Sequence, residues 1–417
     1  MADFSKIIEN KNDSADYMVD EITHICKNMP KRSPGSEGEK MACDYMADVL
    51  KKDCGCERCE VEPFKENPGS FYGWIYFTIT FALLGLISLF FMPLIGTILI
   101  IFGLIIMVLQ FGMYKKAVDF LFPEKTSHNV TAIKKCSGEV KGRVFFNGHP
   151  DAAWNWPVNM RFGGVAFELH NIISIIGALY ILVLSIISVI KLGVAPMVLT
   201  PAISGSLFWC SISTLIFVPF LIGMYFMWDK KTIVDGANDN LTGCYMGIAI
   251  LKAMKETGLT LEHTEVGVIL TGSEEAGLRG AKAWCEAHKG EFDDVPTWIY
   301  SYDTIHDGNF LMVNYRDLNA TVKADKEVSD SFMDAAKEMN IKCSRGFVPP
   351  MGGATDSAAF AQAGMKSTGV TGLNHKIESY YHTIYDSYDN LNKKCIADCY
   401  AVSIKCLENF DKNISNK

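Results

Sequence analysis

The sequence predicts an α/β protein built on a central, mostly parallel sheet flanked by helices, with four transmembrane helices inserted as two hairpins. Three observations predict it. Strand-length apolar runs alternate with amphipathic helical segments through most of the 417 residues. Residues 71–114 and 171–228 form two long blocks that are almost wholly apolar. His149, Asp239, Glu275 and Asp303, which have ligand chemistry, follow predicted strands or open predicted helices, where ligands collect in open α/β sheets.

Taken in order, residues 16–29 carry apolar side chains at helical spacing. Ser36 followed by Glu39 is a capping-box pattern that opens a second amphipathic helix running to about Lys52. Short strands are expected at 59–64, 129–134 and 143–147. A helix over 241–256 leads into a strand at 265–270 and a helix at 278–288. A strand at 297–302 ends just before Asp303. A strand near 310–314, helices at 327–339 and near 356–363, and a terminal helix from about Leu391 complete the alternation.

The first apolar block holds no charged residue and supplies two spans, 71–92 and 94–114, turning at Pro93 and Gly96. At ~1.5 Å per residue, roughly twenty residues cross a ~30 Å hydrocarbon core. The second supplies spans at 171–190 and 204–228, linked through Lys191, Gly193, Pro196 and Pro201. Buried core helices of this length keep a polar face; these do not. Trp74, Trp209 and Trp228 are expected at the membrane interface, as are Glu168 and His170 at the block's edge. The chain then divides into 1–70 (soluble), 71–114 (hairpin), 115–170 (soluble), 171–228 (hairpin) and 229–417 (soluble).

Four spans put all the soluble segments on one side. Lys115, Lys116, Arg161, Lys230 and Lys231 flank the spans there, against Lys191 alone in the hairpin turns, which predicts a cytoplasmic catalytic part. Thirteen scattered cysteines and a polar first seventy residues without a secretory signal agree with a reducing compartment. Cys54, Cys56 and Cys59 lack a second pair at zinc-site spacing and read as loop cysteines. A net charge of −8 without a basic stripe excludes a nucleic-acid partner. Spans nearly free of ionisable residues speak against a transporter. No segment specifies an oligomeric state.

Five candidate metal ligands stand in separate short segments: His149 in Gly148-His149-Pro150-Asp151, Asp239 in Ala237-Asn238-Asp239-Asn240, Glu275 in Ser273-Glu274-Glu275-Ala276, Asp303 after Tyr302, and His382 before Thr383. Two imidazoles and three carboxylates suit two zinc ions. Two dications repel, so a carboxylate shared through both oxygens is valuable, and Asp239 is the candidate bridge. Adjacent Glu274 and Glu275 do not both approach one ion with the same geometry. One ligates, and the other serves as general base beside a water whose pKa the ions lower. Asp151 is placed to hold the His149 imidazole in one tautomer.

Singly, each residue has an ordinary explanation. A His before Pro-Asp is a turn residue, paired glutamates complement a helix dipole, Asp303 is a helix cap, and His382 is loop polarity. Coincidence of all five is the poorer account. His306 stands near the cleft in sequence, Asp356 and Asp386 read as supports for the ligands, with capping the simpler account of Asp356, and Tyr380 and Tyr381 read as substrate contacts. His24, His128, His263, His288 and His375 have no ligand context.

These segments resemble metallopeptidase family 28, the co-catalytic zinc aminopeptidases that include aminopeptidase Y and the bacterial leucyl aminopeptidases. The resemblance covers roughly 20–70, 127–160 and 232–412. Its carriers are Arg32-Ser33-Pro34-Gly35-Ser36, Gly148-His149-Pro150-Asp151 (with Pro150 where an aromatic is more usual), Gly236–Gly243, Glu274–Gly280 and His382-Thr383-Ile384-Tyr385-Asp386. It implies that His149 and Asp303 hold one zinc, Glu275 and His382 the other, with Asp239 bridging and Glu274 as base. The implied reaction is removal of an N-terminal residue from a peptide. A catalytically silent scaffold or receptor, and a carboxypeptidase, dipeptidase or amidohydrolase on the same site, are the alternatives. The two hairpins depart from the soluble members of the family.

Overall fold

A computed structural model describes residues 3–193, 196–197, 205–374 and 378–415. Pro201 of the second hairpin's link and His375 lie outside them. In chain order, helices α1 (Lys11–Asn28) and α2 (Glu37–Lys52) precede strand β1 (Arg58–Glu66). The first hairpin is α3 (Trp74–Phe91) and α4 (Pro93–Met107), followed by β2 (Lys125–Lys134) and β3 (Gly142–Gly148). The second is α5 (Gly164–Leu192) and α6, a helix over Ser206–Phe226 interrupted by 3-10 turns. Then come α7 (Thr242–Thr257), β4 (Thr264–Thr271), α8 (Arg279–Ala287), β5 (Thr297–Ile305) and β6 (Met312–Asn314). The chain closes with α9 (Lys326–Glu338), β7 (Ser344–Gly346), α10 (Ser357–Gln362), β8 (Lys366–Gly372) and α11 (Lys393–Ser415).

The eight strands form one sheet in the order β1-β2-β4-β3-β5-β8-β6-β7. Its middle, β4-β3-β5-β8, is parallel, while β1-β2, β2-β4 and β8-β6 pair antiparallel, so the sheet is mixed with a parallel centre. Strand alternation sends neighbours to opposite faces. Phe146, Val268 and Tyr300 pack under α1, α7 and α11, whereas Phe145, Ile269 and Ile299 pack with Trp284 of α8 and Phe360 of α10. The strand β8, inserted between β5 and β6, was not expected: Lys366–Gly372 reads Lys-Ser-Thr-Gly-Val-Thr-Gly, with one strongly apolar residue. Burial on both faces comes from its neighbours rather than from its composition.

Four helices are long and apolar enough to cross a membrane: Pro68–Phe91, Pro93–Gly112, Gly164–Leu192 and Ser206–Phe226. Both hairpins leave and re-enter the soluble fold at paired strands. β1 and β2 are partners in register, Glu66 opposite Lys125, so the first hairpin replaces the turn of a β-hairpin. Trp154–Asn155 pairs antiparallel with Asp229–Ile233, and the second hairpin springs from that small ladder. Insertion at strand-linking turns leaves the sheet intact. In the first hairpin the helices approach closely at glycines: a Cβ on Gly96 would lie 2.8 Å from the Gly85 carbonyl oxygen. Ile98, Phe102, Ile190 and Ile216, all more than half exposed, give the hairpins an apolar outer surface.

The structure adds three details at these segments. α5 begins at Gly164, so Glu168 and His170 belong to the long helix itself; His170 Nε2 meets the Phe220 carbonyl oxygen at 2.9 Å and ties α5 to α6. Trp74 and Trp228 are buried and only Trp209 stands out, 71% exposed. The capping box is half formed: Ser36 Oγ accepts from Glu39 N at 3.2 Å, but the Glu39 carboxylate turns to Gly35 N and Ser273 N. All thirteen cysteines are free, with Cys54 and Cys56 buried and Cys59 on β1.

Candidate metal centre

β3 ends at Gly148 and delivers His149 to the carboxyl edge of the sheet. A Cβ on Gly148 would lie 2.4 Å from the Gly243 carbonyl carbon and the Cys244 nitrogen at the start of α7. Only glycine permits this approach, which brings His149 beside the kinked segment Ala237–Leu241 carrying Asp239. Glu274 and Glu275 lie in the turn between β4 and α8. Asp303 is within β5, two residues short of its end rather than beyond it. His382 sits in the loop before α11 with a left-handed φ of 53°.

The five candidate ligands converge. His149 Nε2 lies 3.3 Å from Asp239 Oδ1, while His382 Nε2 lies 3.1 Å from Asp239 Oδ2 and 3.3 Å from Glu275 Oε1. Each oxygen of one carboxylate therefore faces a different imidazole. Two groups of three result, His149/Asp239/Asp303 and Asp239/Glu275/His382, with ligand atoms within 4.8 Å of one another in each; they are the metal-competent groups among the described residues. Metal–ligand bonds of about 2.0–2.1 Å at a tetrahedral angle space neighbouring ligand atoms about 3.3 Å apart, which the measured separations match. His149 Nε2 and Glu275 Oε1 are buried without a hydrogen-bond partner, as atoms kept for a metal would be. Glu274 Oε2 stands 3.8 Å from His149 Nε2.

Electrostatics set Asp239 apart. Burial disfavours its charge, yet the flanking imidazoles of His149 and His382 hold it well below the usual carboxylate range. Burial pushes Glu274, Glu275 and Asp303 well above that range, reinforced by neighbouring carboxylates. Burial also opposes charge on His149, but Glu274, then Asp151 and Asp239, outweigh it and raise its pKa. Concentrated buried negative charge of this kind is what divalent cations neutralise.

The supporting residues do more than their sequence positions suggested. The Asp151 carboxylate lies 3.4 Å from His149 Nδ1 and also accepts from Glu274 N at 3.1 Å and Glu275 N at 3.0 Å, tying the first segment to the third. Asp386 accepts from Asn238 N (2.8 Å), Asn238 Nδ2 (2.9 Å) and Asp239 N (3.1 Å), fixing the Asp239 segment. Asp356 is no cap: its side chain makes no helix-capping bond and instead accepts from the Thr271 hydroxyl at the end of β4. His306 Nδ1 is 3.1 Å from Asn238 Oδ1, with its ring against Tyr380. Tyr381 lines the cavity above the cluster, and Tyr380 does not.

Two residues without an expected role stand out. Arg32, 2% exposed, donates from Nε to the Pro150 carbonyl (2.7 Å) and from Nη2 to those of Asp235 (2.6 Å) and Gly236 (3.1 Å), stapling the His149 loop to the Asp239 loop. Trp156 lies 4.3 Å from the His382 ring, centroid to centroid. Arg32 stood in a recognisable segment but carried no functional signal. Trp156 carried none, since its contact is made across more than two hundred residues.

Residues 228–407, which include four of the five candidate ligands, match the sequence profile of peptidase family M28. Over the whole chain the fold is similar to those of several solved structures. The zinc aminopeptidase BSAP from Bacillus subtilis superimposes with a TM-score of 0.55 at 13% identity, covering 95% of this chain and 95% of that one. An aminopeptidase from Aneurinibacillus sp. strain AM-1 gives 0.54 at 13% identity, covering 95% and 93%. A glutaminyl cyclase from Bacteroides thetaiotaomicron, bound to N-acetylhistamine, gives 0.54 at 12%, covering 95% and 97%. No curated protein sequence matches the chain.

Proposed function

We propose that this chain is a membrane-anchored zinc aminopeptidase. The observation that carries it is the Asp239 carboxylate, whose two oxygens face two different imidazoles and so complete two ligand sets. His149 and Asp303 would hold one zinc, Glu275 and His382 the other, and Asp239 both. Two dications would offset much of the negative charge of the buried carboxylates gathered there. Bound there, zinc supplies Lewis-acid polarisation of a carbonyl and a water of lowered pKa.

The chain's own residues do the rest. Glu274 stands beside the cluster without joining either ligand set, its Oε2 3.8 Å from His149 Nε2. It is therefore suited to take a proton from the attacking water and pass it to the leaving amine. Asp151 fixes the backbone of Glu274 and Glu275 and orients His149, and Asp386 fixes the bridging segment. The hairpins anchor the enzyme in the bilayer with the catalytic part in the cytoplasm.

The test is hydrolysis of leucyl-4-nitroanilide, free-amine peptides, their N-acetylated forms and an N-terminal glutaminyl peptide by detergent-purified protein, with zinc and with chelator. Zinc-dependent release of the first residue from free-amine substrates only is the expected result. Cyclisation of the glutaminyl peptide without hydrolysis of the others would replace the peptidase reading by a cyclase. For topology, a thiol placed at Met92, in the turn between α3 and α4, should react with an impermeant reagent in intact cells. Thiols of the catalytic part should react only after permeabilisation; the reverse pattern would overturn the orientation.

A further inference from the structure

One cavity of about 580 Å³ is lined at one end by Asp239, Glu274, Glu275, Asp303 and His382, and along its length by residues of both hairpins. Its size falls in the ~300–1,000 Å³ range of sites that enclose a small ligand. The α5 wall includes the helical stripe Glu168, Asn171, Ile172, Ile175 and Ala178, flanked by Phe167 and Ser174. α3 faces it with Ile75 and Ile79, and α6 with Met224. The near end of the stripe is tied to the cluster by rings: Phe167 stacks on Trp156 at 4.4 Å, and Trp156 lies 4.3 Å from His382.

The chemistry of the wall changes along it. Toward the Phe167 end come the Glu168 carboxylate, which has no cation opposite it among the described residues, and Asn171, which donates one Nδ2 hydrogen to the Phe167 carbonyl oxygen at 3.1 Å and has no hydrogen bond to its Oδ1 among the described residues. Beyond them the wall is mostly apolar, and the hydroxyls of Ser174 and Thr78 that also line it are turned to helix carbonyl oxygens. A pure hydrocarbon chain would bury those acceptors unpaired, at a cost. A peptide supplies what they need: an ammonium for Glu168, an amide N–H for Asn171, and apolar side chains beyond. From Glu168 to Ala178 the helix rises about 15 Å, the length of about four extended residues at ~3.3 Å each.

We infer that this cavity is the substrate channel, and that it takes the amino-terminal segment of an apolar peptide, about four residues long, lying between the two hairpins with its first carbonyl at the metal cluster. The inference rests on the aminopeptidase reading and adds its substrate class. Glu168 receives the free amino terminus, and the apolar stripe selects the residues that follow.

The experiment uses the full-length protein in detergent. Peptides Leu-(Leu)n and Leu-(Ser)n, with n from one to five and solubilising lysines at the carboxyl end, are compared with leucyl-4-nitroanilide. In the leucine series kcat/KM should rise about tenfold per residue, which is about 1.4 kcal/mol and near the low end for burying a leucine, and level off near four residues. The serine series should stay flat. Ala178→Trp, and Ile75→Trp from the opposite wall, should cut hydrolysis of the longest leucine peptides at least tenfold more than that of the dipeptide. Leu179→Trp, on the outer surface, should change neither.

A readout independent of turnover is quenching of Trp74, Trp156 and Trp228, which line the cavity, by a dansylated apolar peptide added to Glu274→Gln protein in chelator. Glu168→Gln in that background should weaken free-amine peptides about tenfold and leave N-acetylated ones alike. If leucyl-4-nitroanilide and every peptide go uncleaved while quenching occurs, the peptidase reading fails and the channel stands. If leucyl-4-nitroanilide is cleaved but the leucine and serine series run parallel and no quenching is seen, the channel is overturned.

Discussion

Replacing Arg32 by methionine should loosen the metal cluster although Arg32 touches no candidate ligand. The guanidinium bonds three buried carbonyl oxygens on two loops, Pro150 on the His149 side and Asp235 and Gly236 on the Asp239 side. A hydrogen bond to a charged group contributes about 1.5–3 kcal/mol net. Counting one independent bond per loop gives a loss of about 3–6 kcal/mol, and methionine keeps much of the packing volume. With the staple gone, the loops of His149 and Asp239 need no longer hold their 3.3 Å approach. Zinc affinity should then fall about 10–100-fold, as for other groups that orient ligands. Thermal unfolding in detergent and zinc competition against a chromogenic chelator measure the two effects. Arg32→Lys should be intermediate, because one ammonium does not reproduce a planar fork spanning both loops. An Arg32→Met protein with wild-type unfolding midpoint and wild-type zinc affinity would refute the staple.

Three further predictions address the cluster and the surface. Glu274→Gln should retain zinc, measured by elemental analysis, while kcat falls about 10²–10⁴-fold as for loss of a general base; parallel loss of zinc would instead make Glu274 a ligand. His382→Ala should lower bound zinc from two per chain to one, and Asp239→Asn to one or fewer; two ions retained in Asp239→Asn would exclude the bridge. The last concerns pH. Burial disfavours charge on His288, but Glu62 at 2.9 Å and Glu291 at 2.5 Å outweigh it and raise the folded-state pKa. A raised histidine pKa stabilises the fold fully below the unfolded value of about 6.5 and loses that stabilisation as pH rises through the folded value. Wild type should therefore exceed His288→Gln in stability at pH 5.5 and lose that margin at higher pH; a constant margin would argue for packing alone.

The elements legible in the sequence were those whose burial pattern is local. α2, α7, α9 and β4 announce themselves because their own apolar spacing matches the face they bury. The apolar blocks were legible because no soluble packing explains forty uncharged residues. The candidate ligands were legible because each lies in a short segment with its own turn chemistry, such as Gly148-His149-Pro150-Asp151. By contrast β8 escaped notice: a Ser-Thr-Gly-Val-Thr stretch becomes a central strand only because β5 and β6 flank it. Asp356 was misread as a cap because its partner, Thr271, is distant in the chain.

The sequence by itself determined an α/β fold, two apolar blocks and a set of residues with metal-binding chemistry, since composition and periodicity are properties of contiguous segments. Only the tertiary structure decided that the two oxygens of Asp239 face different imidazoles, that Arg32 and Asp386 fix the segments bearing the ligands, and that the hairpins form the walls of a cavity reaching the cluster. Those facts depend on distances between residues tens to hundreds of positions apart. Such distances are set by how the sheet, the glycine contact of Gly148 and the strand-linked hairpins pack together, which no local pattern encodes.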